Sequence, residues 1–201
     1  EVQLTSSRRQ HQLVVTARYA DGTARDVTSL ARMTLQDPEM AALKGTRLVP
    51  RANGKTLLSV ALGAARVEVP ISITGQESAE RVSFRREVLA ALTKQGCNAG
   101  SCHGAPDGKG GFALSMLAYA PEIDEESIIY GGLSRRITPL DPDDSLLLKK
   151  PLLQQPHVGG RRLQKADAAW EILHDWIQQG AVADTGTAPT CDALSVYPAG
   201  A

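Results

Sequence analysis

Two cysteines and a histidine in the segment Cys97-Asn-Ala-Gly-Ser-Cys102-His103 are the residue types that attach and ligate haem. Two thiols can add to the two vinyl groups of a haem, and a histidine next to the second thiol is then placed to bind one face of the iron. The usual motif has two residues between the cysteines, whereas this segment has four. We therefore predict a variant C-x4-C-H site that carries one covalent haem c per chain, with His103 as the proximal iron ligand.

Three other kinds of chemistry could use the same residues. A disulfide between Cys97 and Cys102 would close a very short loop and would stabilise the chain little through entropy. A structural zinc ion needs four ligands, and Cys191 with the scattered remaining histidines makes a poor second pair. A nucleophilic cysteine with a histidine partner leaves the second cysteine without a role. Haem attachment uses all three side chains and is favoured, with the other three as alternatives.

A second histidine is a candidate for the distal face of the iron. His157 lies between a proline and two glycines, some fifty residues after His103, where neither helix nor strand gives an imidazole a structural role. Met116, in the apolar segment 112–117, is the alternative distal ligand because a thioether also suits haem iron. Two histidine ligands favour a lower potential than histidine with methionine. We therefore expect a low-spin, low-potential haem held by His103 and His157.

The spacing of apolar residues changes along the chain, from the repeat of two that is typical of strands to the spacing that is typical of helices. Apolar and polar residues alternate from Val2 to Thr74 between Asp-Gly and Asn-Gly turns, which is typical of a β-sandwich of the immunoglobulin type. After a polar connector, Ser83 is placed to cap a helix that ends near Gln95, directly before the cysteines. A last helix is predicted over Lys165–Gln179, with Gly180 as its stop.

Composition excludes several classes of partner. The 201 residues include 22 basic and 22 acidic side chains, so no net charge points to nucleic acid or an anionic membrane. No run approaches the ~20 apolar residues of a membrane-spanning helix. Hydrophobic residues make up 42% of the chain and can support a core, whereas aromatic residues make up only 4%. A haem would supply a large apolar body for such a core to pack around.

Several separated motifs together resemble the cytochrome c-like domain of large planctomycete surface or periplasmic proteins. They are Val88 to Gly104, Gly110-Gly-Phe-Ala-Leu-Ser115, Ser145-Leu-Leu-Leu148, Pro156-His-Val-Gly-Gly-Arg161 and Trp176-Ile-Gln-Gln-Gly-Ala181. The run from Val14 to Thr28 similarly resembles bacterial Ig-like domains. The resemblance implies covalent haem through Cys97 and Cys102, His103 as proximal and His157 as distal ligand. It also implies that further domains of a parent protein follow.

The predicted fold class is therefore two domains, an all-β Ig-like sandwich followed by an all-α cytochrome c-like domain. The expected bounds are 1–76 for the sandwich, 82–183 for the haem domain, and 184–201 for a linker or the start of a further module. Cys191 falls in the last of these and is left out of the site.

Electron transfer to or from an unknown redox partner protein is the favoured function, because six-coordinate iron has no open position for catalysis. A haem sensor or peroxidase-like enzyme with an open distal site is one alternative. An adhesion module in which the Cys-His motif holds a structural metal is another. Since thioether haem is assembled outside the cytoplasm, we expect the protein in the periplasm or at the cell surface.

Overall fold

The computed structural model describes residues 1–77, 80–184 and 192–193. One compact unit runs from Glu1 to Glu80, and a second begins at Arg81. The expected linker or further module at 184–201 lies outside the described residues except for Asp184 and residues 192–193, and Cys191 is also outside them. Among the described residues, no helix has both the length and the apolar character needed to cross a lipid bilayer.

The first unit is built from β-strands in its described residues. In chain order they are β1 (Val2–Leu4), β2 (His11–Gln12), β3 (Thr16–Arg18), β4 (Ala24–Asp26), β5 (Arg32–Leu35), β6 (Ala41–Lys44), β7 (Arg47–Pro50), β8 (Gly54–Leu62) and β9 (Ala65–Ile73). They form a four-stranded sheet in the order β1-β9-β8-β5, a three-stranded sheet in the order β2-β7-β6, and the pair β3-β4. The pairing of β1 with β9 is parallel, and the other pairings are antiparallel.

Alternating burial explains how these strands make a core. In β8, Thr56, Leu58 and Val60 are buried while their neighbours are less so, because successive side chains of a strand point to opposite faces. Leu58 packs in one cluster with Leu48 of the three-stranded sheet and with residues of β1 and β9. The two larger sheets therefore share one hydrophobic core.

The second unit has four short helices among its described residues, with bends and turns between them. They are α1 (Leu89–Lys94), α2 (Pro121–Ile129), α3 (Leu146–Lys149) and α4 (Ala168–Gln178). A π-helical turn, Phe84–Val88, leads into α1, and the side chain of Ser83 accepts a hydrogen bond from the backbone N–H of Arg86 at its start. The helix start predicted at Ser83 is thus confirmed.

The predicted fold class, an all-β Ig-like sandwich followed by an all-α cytochrome c-like domain, is wrong. Helix accounts for 24% and strand for 22% of the structure, so strands and irregular segments dominate. The helices of the second unit are 4 to 11 residues long. The physical reason lies in the segments between them, which are rich in glycine and proline and therefore do not propagate a helix.

The helices of the second unit nevertheless build a packed core that supports its central cavity. The ring of Phe84 lies 5.3 Å from that of Trp176 between centres, and both side chains are almost completely buried. Leu92 of α1 and Leu173 of α4 belong to the same core, and both also line the cavity described below. Packing of α1 against α4 therefore sets the position of the cysteine segment, which begins three residues after α1 ends.

Candidate functional site

The segment that carries the two cysteines is a closed loop. The backbone N–H of Cys97 donates to Leu92 of α1 at 2.9 Å, which ties the loop to the end of that helix. The N–H of His103 donates to the carbonyl of Cys97 at 3.0 Å, and the N–H of Cys102 donates to that of Ala99 at 2.8 Å. The four residues between the cysteines therefore form a compact turn that brings the two ends of the motif together.

Gly104, the residue after His103, is where this loop crosses itself. A Cβ atom there would lie 2.2 Å from the carbonyl oxygen of Asn98 and 2.9 Å from the carbonyl carbon of Ala99. Its backbone N–H donates to the carbonyl of Ala99 at 3.0 Å. Only glycine can approach the backbone this closely, so the loop depends on the absence of a side chain at Gly104.

His103 is oriented by a backbone carbonyl. Its Nδ1 lies 2.9 Å from the carbonyl oxygen of Phe112, and its ring lies 4.6 Å from the ring of Phe112 between centres. A carbonyl only accepts hydrogen bonds, so Nδ1 carries the proton of the neutral imidazole and Nε2 keeps its lone pair. This arrangement is the one by which ligand histidines are usually held for a metal ion.

His157 is held in the same way by its own loop. Its Nδ1 donates to the carbonyl oxygen of Gly160 at 2.8 Å, which again leaves the lone pair on Nε2. Two side chains brace the loop, because Lys150 donates to the carbonyl of Pro156 at 3.2 Å and Arg162 to that of Gly159 at 2.9 Å. The proline and glycines that drew attention to His157 in the sequence thus build a turn around its imidazole.

The two imidazoles lie near each other, and their ring centres are separated by about the distance expected for two histidines bound to one metal ion. The ring centres of His103 and His157 are 6.3 Å apart, and the ring planes differ by 18°. An imidazole nitrogen lies about 2.0 Å from a metal ion that it binds, so two imidazoles on opposite sides of one ion have ring centres roughly 6 Å apart. The separation and the two lone pairs therefore fit a haem iron held by two histidines.

A cavity of about 370 Å³ brings all four predicted residues together. Cys97, Cys102, His103 and His157 line it, and leucine, proline, valine and phenylalanine side chains form most of the remaining wall. The volume lies in the range of about 300–1,000 Å³ that is usual for small-molecule and cofactor sites. The structure thus offers one apolar chamber with two thiols and two imidazoles, which suits a flat apolar cofactor.

Charged residues at this cavity are all basic. Lys109, Arg135, Lys150 and Arg162 are exposed, and we call these four the basic rim. The buried Arg136 also lines the cavity, and no aspartate or glutamate is among its described lining residues. The positive electrostatic potentials of these side chains add inside a cavity whose wall has a low dielectric constant. The cavity therefore favours a ligand that carries negative charge.

Burial controls the protonation of two site residues. Burial, followed by the neighbouring Cys102, raises the pKa of Cys97 to about 11. Burial also lowers the pKa of His103, and the charges of His157 and Arg136 act in the same direction. His103 therefore favours the neutral form, which is the form that binds metal. Both Cys97 and Cys102 are free thiols, so they are not joined as the disulfide alternative requires.

Thiol alkylation of the haem-free protein tests the protonation of Cys97. With Cys191→Ser in place, we expect Cys97 at pH 8 to react with iodoacetamide on the order of 100-fold more slowly than in the urea-unfolded chain, because only the thiolate reacts. The rate should rise about tenfold per pH unit up to pH 10. Mass spectrometry of the peptide reports each thiol separately. Equal rates in the folded and unfolded chain would contradict a raised pKa for the half-buried Cys97.

Two of the alternatives from the sequence find less support in the geometry. Met116 is 58% exposed and lies outside the cavity lining, so the structure does not bring it to His103. Within the described part of the chain, no group of three or more histidine, cysteine, aspartate or glutamate side chains is arranged to hold a metal ion, which weighs against the structural zinc site.

Sequence reasoning missed the basic rim and the carbonyl partners of the histidines. One signal was present, because paired arginines follow paired glycines twice, at Arg135-Arg136 and at Arg161-Arg162. The carbonyl partners left no signal, since any residue offers a carbonyl. No protein-family model matches this chain, and no curated protein matches it.

Proposed function

We propose that this chain binds one covalent haem c and serves as an electron-transfer domain. Cys97 and Cys102 form the thioether attachments, His103 is the proximal ligand and His157 the distal ligand. The observation that supports this most is the pair of imidazoles, 6.3 Å apart, each donating Nδ1–H to a carbonyl beside two free thiols. The nucleophilic cysteine and the disulfide, two of the alternatives, would leave at least two of these four side chains without a role.

The residues of the chain have separate tasks in this proposal. His103 and His157 present Nε2 lone pairs because their Nδ1 protons are engaged. The apolar wall, including Leu92 and Leu173, keeps water from the cofactor. The basic rim would hold the cofactor's carboxylates by charge-assisted hydrogen bonds. Bound haem supplies an iron that exchanges one electron between its ferric and ferrous states.

Electron transfer is favoured over catalysis because the imidazoles of His103 and His157 would both hold the iron and would leave no position for a substrate. A peroxidase-like enzyme or a gas sensor requires a vacant or displaceable distal position, and the bracing of the His157 loop by Lys150 and Arg162 opposes displacement.

The setting of the domain follows from its cofactor. Thioether haem is assembled outside the cytoplasm, so we place the protein in the periplasm or at the cell surface, with a redox protein as its partner. The sequence motifs that resemble planctomycete haem proteins support the same setting.

Covalent haem is tested by maturing the protein in a periplasm that contains haem-attachment machinery. We expect the intact mass to increase on the order of 600 Da, because the thioether chemistry of the motif adds a haem without releasing any part of it. A pyridine haemochrome spectrum should report two saturated vinyl groups. Cys97→Ala and Cys102→Ala should each leave one unsaturated vinyl group, and Cys191→Ala should behave as the unsubstituted protein. A colourless product of unmodified mass overturns the proposal.

A further inference from the structure

Arg136 is a buried arginine whose guanidinium links two segments of the site. It is 9% exposed. One terminal nitrogen donates to the carbonyl of Ser127 in α2 at 2.8 Å, and the other donates to the carbonyl of Gly111 at 2.8 Å. The planar fork of arginine suits such a two-directional contact, which a lysine cannot make. Arg136 therefore ties the glycine-rich loop before Phe112 to helix α2.

The same guanidinium also contacts the ring of Phe112. Its central carbon lies 4.6 Å from the ring centre, a cation–π distance. Phe112 in turn touches His103 twice, through its ring at 4.6 Å between centres and through its carbonyl at 2.9 Å from Nδ1. A continuous series of contacts thus runs from Arg136 through Phe112 to the proximal histidine.

A second contact pins the other side of Phe112. The hydroxyl of Ser127 donates to the carbonyl of Ala113 at 2.6 Å. The carbonyls of the two residues that flank Phe112 are therefore both fixed. Arg136, which is itself bonded to α2, holds the carbonyl of Gly111, and Ser127 of α2 holds that of Ala113. The carbonyl that lies between them is the one that accepts the Nδ1 proton of His103.

Two glycines lie against this guanidinium. A Cβ atom at Gly131 would lie 2.3 Å from a terminal nitrogen of Arg136, and one at Gly132 would lie 3.2 Å from it. The Gly-Gly pair therefore permits the close approach that places the arginine between α2 and Phe112.

We infer that Arg136 is a positioning residue for the proximal histidine: by fixing Gly111 and Phe112, it holds the Phe112 carbonyl where it selects the Nδ1–H tautomer of His103. This inference rests on the proposed function, since it assigns a role in preparing an iron ligand. It concerns the haem-free protein as well, because all of its contacts are made by the chain itself.

The tautomer of His103 in the haem-free protein is the direct test, and it is measured by nitrogen-15 NMR at pH 8. In the unsubstituted protein, we expect a single Nδ1–H tautomer with Nε2 unprotonated. Arg136→Gln should lose this preference and show a mixture of tautomers. Arg136→Lys keeps the charge but not the fork and should also lose it. Arg161→Gln, which removes an exposed arginine outside the cavity lining, is the matched control and should leave the tautomer unchanged.

A second variant and a second measurement distinguish a failure to fold or to load haem from a failure of the inference. If Arg136→Gln does not fold, Ser127→Ala removes only the hydroxyl contact to Ala113 and should weaken the tautomer preference in the same direction. In the haem-loaded protein, Arg136→Gln should lower the midpoint potential, because a buried cation near the iron favours the reduced state.

An Nε2–H tautomer in the unsubstituted protein overturns the inference. So does an unaltered tautomer in folded Arg136→Gln. Absence of covalent haem overturns the proposed function alone.

Discussion

Replacing His157 by alanine should convert the haem-loaded protein from a low-spin to a high-spin absorption spectrum. In the proposed haem site, the imidazole of His157 is the second of two rings 6.3 Å apart, and its removal would take away one of the two protein nitrogens offered to the iron. The covalent attachment, which depends on Cys97 and Cys102, should be retained. Absorption spectra of the ferric and ferrous protein measure the change, and added imidazole should restore the low-spin form.

His174→Ala is the control for this prediction. The ring of His174 stacks on that of Trp170 at 4.7 Å between centres, and His174 is not part of the cavity lining. Its replacement should leave the spectrum unchanged. A low-spin spectrum that survives His157→Ala would contradict His157 as the distal ligand. A high-spin spectrum already present before any substitution would instead favour the sensor or peroxidase-like alternative.

Gly104→Ala should destabilise the second unit by about 3 kcal/mol or more, because the added methyl group overlaps backbone atoms that cannot move aside as a flexible side chain can. The overlap is with the carbonyl of Asn98 at 2.2 Å, within the turn that carries both cysteines. The yield of covalent haem should fall with stability, since the turn no longer presents Cys97, Cys102 and His103 together. Urea unfolding followed by tryptophan fluorescence measures the free energy of unfolding.

The fluorescence signal is selective, because both tryptophans of the chain, Trp170 and Trp176, lie in the second unit. Gly100→Ala is the matched control in the same turn. A Cβ atom at Gly100 meets only the sulfur of Met116, at an ordinary contact distance of 3.6 Å. This variant should change the free energy of unfolding by less than about 1 kcal/mol, because exchanging glycine for alanine without overlap acts mainly through the entropy of the unfolded chain. Equal stability of the two variants would contradict the close backbone contact between Gly104 and Asn98.

Local sequence patterns predicted several elements correctly. The alternation near residues 56–74 predicted the strands β8 and β9, because a half-buried strand requires a repeat of two. The cap at Ser83 and the helix α4, with Leu173, Trp176 and Ile177 on its buried face, were also predicted. In each case the signal lies within a few consecutive residues, where backbone geometry alone relates one side chain to the next.

The prediction of an all-α second domain was wrong in the segments where local sequence signals are weak. Glycines and prolines between Gly96 and Ala166 form turns whose path is set by contacts from elsewhere, such as the hydrogen bond from Leu114 to the carbonyl of His103. A helical beginning and a helical end do not determine what lies between them. The irregular segments are nevertheless the ones that carry the carbonyl partners of both histidines.

The sequence alone determined which donor atoms this protein has: two thiols and an imidazole in one short segment, and a second imidazole in a loop of proline and glycine. Only the tertiary structure decided that His157 lies 6.3 Å from His103, that the carbonyls of Phe112 and Gly160 orient the two rings, and that the charges around them are basic. The physical reason is distance along the chain. Residues some fifty positions apart meet only when the packing of every intervening segment brings them together, and no local repeat encodes that packing.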